Sequence, residues 1–261
     1  MTSPTPKRVQ LQPAYVLHTR PYRDSSRIAD FLTADYGRMT LVARGARGSR
    51  SAAFKSGLQP FTSVLISWVG SGEMPCLTEL EVHALPLLLS TPRAIQGLYL
   101  NELLTRLLAR GEPVEKVFSD YQKAIYGLKI EQETQRILRL FEKDLLQELG
   151  YGVILEVEGQ SGLPVVADQW YRYELEFGPK KVSDARVRED ILGASLLSFA
   201  RQELADTQSL LDAKRLMRRL LTPHLGSRPL HSRQLAKALL QFSSENVSRG
   251  PSQAACMETL D

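Results

Sequence analysis

The sequence predicts an α+β fold: a small N-terminal five-stranded β-barrel followed by a mostly α-helical domain. Three observations carry this expectation. The hydrophobic period changes once, from short β-branched and aromatic runs before about His83 to helical spacing after Leu89. Segments rich in glycine, serine and aspartate separate the short runs and turn the chain. With 261 residues, 43% hydrophobic and 24% charged, the chain can bury a core and keep a polar surface.

The first five runs, AYVLHT, RIADFLT, MTLVAR, PFTSVLISWV and CLTELEV, read as the strands of a small antiparallel barrel. Between them lie RPYRDSS, where Asp24, Ser25 and Ser26 can bond locally to backbone, then ADYG, a long GARGSRSAAFKSG loop and GSGEM.

After Leu89, Thr91 can cap a helix with Pro92 in its first turn, and Leu100, Leu103, Leu104, Leu107 and Leu108 recur at helical spacing. Val114, Val117, Phe118, Tyr121, Ile125 and Leu128 form the stripe of a second helix. Ile137, Leu140, Phe141, Leu145 and Leu149 form that of a third, which stops at Gly150. An irregular insertion near 150–183 surrounds the strand-like YRYELEF, and helical patterning returns near 183–204, 209–221 and 232–242. The expected units are therefore a barrel over 1–85, a helical domain over 86–242 and a polar, mobile tail over 243–261.

Composition excludes several classes. Cys76 and Cys256 are too few for a disulfide framework or a four-ligand zinc site, and His18, His83, His224 and His231 are scattered with no metal-ligand spacing. No GxSxG, SxxK or phosphate-binding glycine loop occurs, so no catalytic residue, cofactor or metal is assigned. The first dozen residues lack a signal-peptide core and no run is long enough to span a bilayer, which points to the cytoplasm. Asp24, Asp30 and Asp35 form the one carboxylate set that magnesium-dependent cleavage of nucleic acid would need, although Asp24 and Asp35 sit in turns that favour Asp for local reasons.

The net charge is only +4, but the cations are concentrated. From Gly37 to Pro60 the chain carries Arg38, Arg44, Arg47, Arg50 and Lys55 and no acid. Barrels of this kind take nucleic acid across the second and third strands, with aromatics such as Tyr22, Tyr36 or Phe54 against bases. A solvated loop that keeps the barrel soluble is the competing reading. Between about Ser209 and Leu221, Lys214 with Arg218 and Arg215 with Arg219 are like-charged i, i+4 pairs on one helix face. Each costs about 0.2–0.5 kcal/mol in an isolated helix, so an external anion or acids from elsewhere in the fold must balance them.

The blocks YVLHTRPY, FLTADYGRMTLVARGAR, GLQPFT, GLYLNELLTRLL, LGYG, YRYE and LTPHLGSRPLHSRQL follow in order over roughly residues 13–240. Together they resemble the bacterial RecO family of DNA repair and recombination mediators. The resemblance implies an OB-fold for the barrel, binding of single- and double-stranded DNA, annealing of complementary strands, and nucleoid association. It also implies cooperation with RecR and the single-stranded-DNA-binding protein SSB in loading RecA. DNA binding then falls on Arg38, Arg44, Arg47, Arg50 and Lys55, with Lys214, Arg215, Arg218 and Arg219 as a second surface. The acidic tail of SSB would need an apolar groove beside cations, for which Arg106, Arg136 and Arg139 stand next to leucine stripes. Many family members carry a four-cysteine zinc site in the region matching Gly159–Gly178, where this chain reads GQSGLPVV, so packing must stabilise the region here. The alternative reading is a non-catalytic adaptor that docks protein partners through the helical domain.

Overall fold

The computed structural model describes residues 8–46, 52–70, 72, 74–84, 87–130, 133–183 and 186–248. Five strands come first: β1 (Arg8–Tyr22), β2 (Ser26–Thr33), β3 (Gly37–Ala43), β4 (Ser63–Val69) and β5 (Cys76–Val82). They close into a barrel in the order β1-β2-β3-β5-β4. Closure corrects the expectation of a wholly antiparallel barrel, because β3 pairs with β5 in parallel through Val42–Cys76 and Ala43–Leu77. An odd number of strands cannot close a ring with every neighbour antiparallel. The segment expected as a long loop before β4 contains a short helix, α1 (Ala52–Gly57). This order, with a helix between β3 and β4, is that of an OB-fold.

Alternation along the strands sorts side chains to two cores. Val16, Phe31, Leu41, Ile66 and Trp68 fill the barrel. Tyr15, Leu17 and Leu32 belong instead to a second core, shared with the helices α2 (Thr91–Leu107), α3 (Glu115–Ile130) and α4 (Thr134–Glu148). Leu100, Leu103 and Leu104 of α2 are fully buried there, each contributing about 1.5–3 kcal/mol of apolar transfer. Tyr15 packs on Phe118 and Tyr121 with ring centroids 5.5 and 5.3 Å apart. The residue capping α2 is Ser90 rather than Thr91. It is extended, its carbonyl accepts from Ala94 N at 2.8 Å, and its side chain makes no cap bond. Helix α4 ends as the sequence indicates, with Gly150 at φ +84° and its N–H donated to Gln147 O.

Polar links fix the barrel to the helices. Asn101 Nδ2 donates to Leu17 O at 2.7 Å, and Tyr121 Oη donates to Asn101 Oδ1 at 2.6 Å. Gly37, at φ +60°, lies so close to the loop after α2 that a Cβ there would stand 1.7 Å from Glu112 O.

Beyond α4, strands β6 (Trp170–Glu174), β7 (Gly178–Lys181) and β8 (Ile191–Leu192) form a small sheet in the order β7-β6-β8. The loop before it is pinned by two phenols: Tyr173 Oη accepts from Ile154 N at 3.1 Å, and Tyr171 Oη from Val166 N at 2.8 Å. Burial pushes the Tyr173 hydroxyl up to about 12, the Ile154 N–H opposing.

Helix α5 (Gly193–Ala200) is shorter than the expected 183–204. The buried Asp190 carboxylate accepts from Arg172 Nε and Val187 N and holds the preceding residues in a turn. Helix α6 (Thr207–Leu225) starts on Asp206, whose carboxylate accepts from Ser209 N. Helix α7 (His231–Ser248) runs past Phe242, where helical patterning ends in the sequence. Its N-terminus is held by Glu102 of α2, which accepts from His231 N, Ser232 N and Ser232 Oγ.

Candidate nucleic-acid interface

The barrel carries an open groove of about 600 Å³ at one end. The β1–β2 turn forms one wall, the end of β3 the floor and the β4–β5 connection the other wall, contributing Tyr22, Val42, Arg44, Met74 and Cys76 among others. Local pairing builds it: Tyr22 faces Ser26 across the turn, and Val42 N donates to Pro75 O at 2.9 Å, drawing the β4–β5 connection against β3. OB-folds bind oligonucleotides between these two connections and over the β2–β3 face.

The expected DNA-binding cations divide at this groove. Arg44 is exposed, lines the groove, and has no ion pair among the described residues. Arg47 and Arg50 lie outside the described residues, as does the Lys55 side chain. Arg38 is turned elsewhere. Its Nε donates to Leu108 O at 2.9 Å, its Nη1 stands 3.7 Å from Asp30 Oδ1, and its side chain is 13% exposed. Burial lowers its guanidinium from the ordinary value, with Asp30 opposing and Arg110 adding to the shift. Arg38 therefore fastens the barrel to the helices. The aromatic candidates divide too: Tyr36 packs edge-on against Trp68 at 5.1 Å and Phe54 packs on the barrel core, whereas Tyr22 lines the groove.

The second basic surface is half the expected size. Arg215 donates to Arg188 O at 2.6 Å and pairs with Asp212, and Arg219 donates to Tyr173 O at 3.1 Å, so both tie α6 to the β6–β8 region. Lys214 and Arg218 are exposed. The like-charged rows are thus two neighbouring stripes, one turned into the fold and one outward.

The three arginines expected beside an apolar groove also hold the fold together. Arg106 pairs with Glu102 at 2.6 Å and donates to Arg228 O and Pro229 O, at 2.6 and 2.8 Å. Arg136 donates to Gln202 O and Glu203 O just past α5. Arg139, 6% exposed, pairs with the fully buried Glu142 at 3.0 Å, and Tyr99 Oη donates to the same carboxylate at 2.5 Å. Burial raises the Glu142 carboxyl above its usual range, while Arg139, Tyr99, Arg233 and Lys214 oppose. Only Arg139 contacts this carboxylate, while Arg233 and Lys214 act on it at longer range, and Arg139 Nε is buried without a hydrogen-bond partner.

The carboxylate set does not assemble. Asp30 accepts from Thr40 Oγ1 at 2.5 Å on the barrel face, while Asp24 and Asp35 lie at opposite ends of the eight-residue β2. Among the described residues no three metal-ligating side chains come together. No helix among them is long and apolar enough to cross a membrane.

Sequence reasoning overlooked Met74 and Cys76 in the groove wall, and Glu102 as the anchor of α7. The i, i+4 spacing of Glu102 and Arg106 was the available signal for the last.

Family models agree with this architecture. The model described as recombination protein O N terminal matches residues 9–85, and that for recombination protein O C terminal matches residues 90–234. The DNA repair protein RecO of Nitrosococcus oceani is 47% identical over 243 residues, covering 93% of this chain and 98% of that protein. That of Coxiella burnetii is 39% identical over 229 residues, covering 88% and 98%. That of Haemophilus influenzae is 40% identical over 228 residues, covering 87% and 95%. With both halves matched and relatives alike over nearly their whole length, the chain belongs to the RecO family of DNA repair proteins.

Proposed function

We propose that this RecO-family protein is a non-catalytic recombination mediator of the cytoplasm, associated with the nucleoid, that binds single- and double-stranded DNA and anneals complementary strands. With RecR it helps load RecA onto SSB-coated single strands. Residues 1–85 act as the DNA-binding unit and 86–242 as the helical unit. The observation that carries the reading is the open groove between the β1–β2 turn and the β4–β5 connection, with exposed Arg44 on it and Arg47, Arg50 and Lys55 following in sequence. Cations on one surface neutralise two polyanionic strands and let them approach closely enough to pair. Lys214 and Arg218 of α6 supply a second, smaller cationic contact for phosphates.

The adaptor reading gains one specific observation, and the two functions are compatible. Lys214 is exposed on α6, which packs on the leucine-rich α4 that carries the buried Arg139–Glu142 pair, so a cation stands at the surface of these helices. An acidic, apolar peptide such as the SSB tail suits that site.

The test is annealing of two labelled complementary oligonucleotides coated with SSB, with chelator present throughout. The intact protein anneals them, and a folded Arg44, Arg47, Arg50 triple alanine variant does not. Equal annealing by that variant removes the barrel from the account. Failure of both proteins to anneal, with SSB still bound, leaves the adaptor reading alone.

A further inference from the structure

The groove contains more than a cation. Tyr22, Val42 and Met74 give it apolar lining from the β1–β2 turn, β3 and the β4–β5 connection respectively. Tyr22 is only partly buried, and the Arg23 guanidinium stands 5.1 Å from its ring centroid, over one face. A cation there holds the ring at the groove's edge. Met74, 45% exposed, brings a polarisable thioether to the opposite wall. Asp24 borders the groove beside Tyr22 and repels phosphate, whereas Arg44 attracts it.

From this arrangement we infer that the groove contains a subsite for one unpaired nucleobase, stacked on Tyr22 against Met74, with the strand's phosphates running past Arg44. The inference rests on the proposed DNA-binding groove and adds what that groove selects. In a duplex both faces of a base are covered by its neighbours in the stack, so a base reaches Tyr22 only from a single strand or a frayed end. Stacking tolerates any base because every base has a π-face, so the subsite discriminates strandedness and not sequence. Tyr22 is then the residue that favours single strands, and Arg44 serves both forms.

The experiment measures binding of the full chain to an oligothymidylate and to an abasic strand of the same length. It compares the wild type with Tyr22→Leu, Tyr22→Trp and Arg44→Ala, each checked for an unchanged melting transition. The wild type should prefer the base-bearing strand by about tenfold. Tyr22→Leu should abolish that preference while binding the abasic strand as before, and Tyr22→Trp should restore it. Equal wild-type affinity for the two strands, an equal loss on both strands in Tyr22→Leu, or no recovery in Tyr22→Trp overturns the subsite. Arg44→Ala should weaken both strands alike. If it leaves both unchanged, the groove is not the DNA site and the subsite falls with it; if it weakens both while Tyr22→Leu leaves the preference intact, only the subsite falls.

Discussion

The Arg38 guanidinium donates to Leu108 O at 2.9 Å across 70 residues of sequence, joining the third barrel strand to the end of the first long helix. The backbone repeats the connection, since Gly111 N donates to Arg38 O at 2.9 Å. Arg38→Ala removes a charged donor from this partly buried seam and should destabilise the protein by about 1.5–3 kcal/mol. Chemical denaturation reads the loss, and the salt dependence of DNA binding should keep its wild-type slope. A slope reduced as in Arg44→Ala would return Arg38 to the DNA-contacting set.

Arg44→Ala should act in the opposite sense, leaving the melting temperature within about a degree because an exposed side chain is lost. Fluorescence anisotropy across a salt series should show the slope of log affinity against log salt falling by about 0.7 for single strands, one phosphate contact. An unchanged slope would place Arg44 off the phosphate path.

Glu102 makes the helix assembly sensitive to acid. Burial raises its carboxyl, but bonds from Ser232 N, Ser232 Oγ and His231 N, with Arg106, outweigh burial and hold it below the usual carboxylate range. An acid whose folded pKa is depressed contributes stability that is complete above its unfolded value and is lost as pH falls through the folded one. Glu102→Gln should therefore be less stable than wild type at neutral pH, by about 2 kcal/mol, and the two melting curves should converge as pH falls below the usual carboxylate range. A gap that persists undiminished at low pH would show that Glu102 acts through shape rather than charge.

Tyr173→Phe leaves Ile154 N without its acceptor, and Tyr171→Phe does the same for Val166 N. Each should cost about 1–2 kcal/mol. Amide exchange should accelerate at Ile154 in the first variant and at Val166 in the second, while the barrel amides keep their protection. Unaltered exchange at both positions would mean that water replaces the phenols at no cost.

The elements were legible where one physical signal dominated. Phe31, Leu41 and Ile66 alternate with outward residues, and Leu100, Leu103 and Leu104 follow a helical repeat, so both periods appear in the chain itself. Gly150 ends α4 for a local reason and was readable for the same cause. Charges were read less well. Arg106, Arg136 and Arg139 sit beside leucine stripes, yet Arg106 and Arg136 bond carbonyls more than 60 residues away, whereas the i, i+3 spacing of Arg139 and Glu142 was a readable signal. Nothing in the local sequence of an arginine reports which carbonyl the fold will bring to it. Asn101 was a missed clue, because an amide within a run of buried leucines demands partners, and it finds them in Leu17 and Tyr121.

The loop between α4 and β6 has no cysteine and is fastened by the hydroxyls of Tyr171 and Tyr173. The Tyr173 phenol, raised to about 12 by burial, keeps its proton at any physiological pH. Unlike a thiolate, a phenol has no sulfur for peroxide to oxidise to a sulfenic acid, and it holds no metal for a chelator to remove. This loop should thus hold its place in peroxide and in chelator alike, with amide protection at Ile154 and Val166 unchanged.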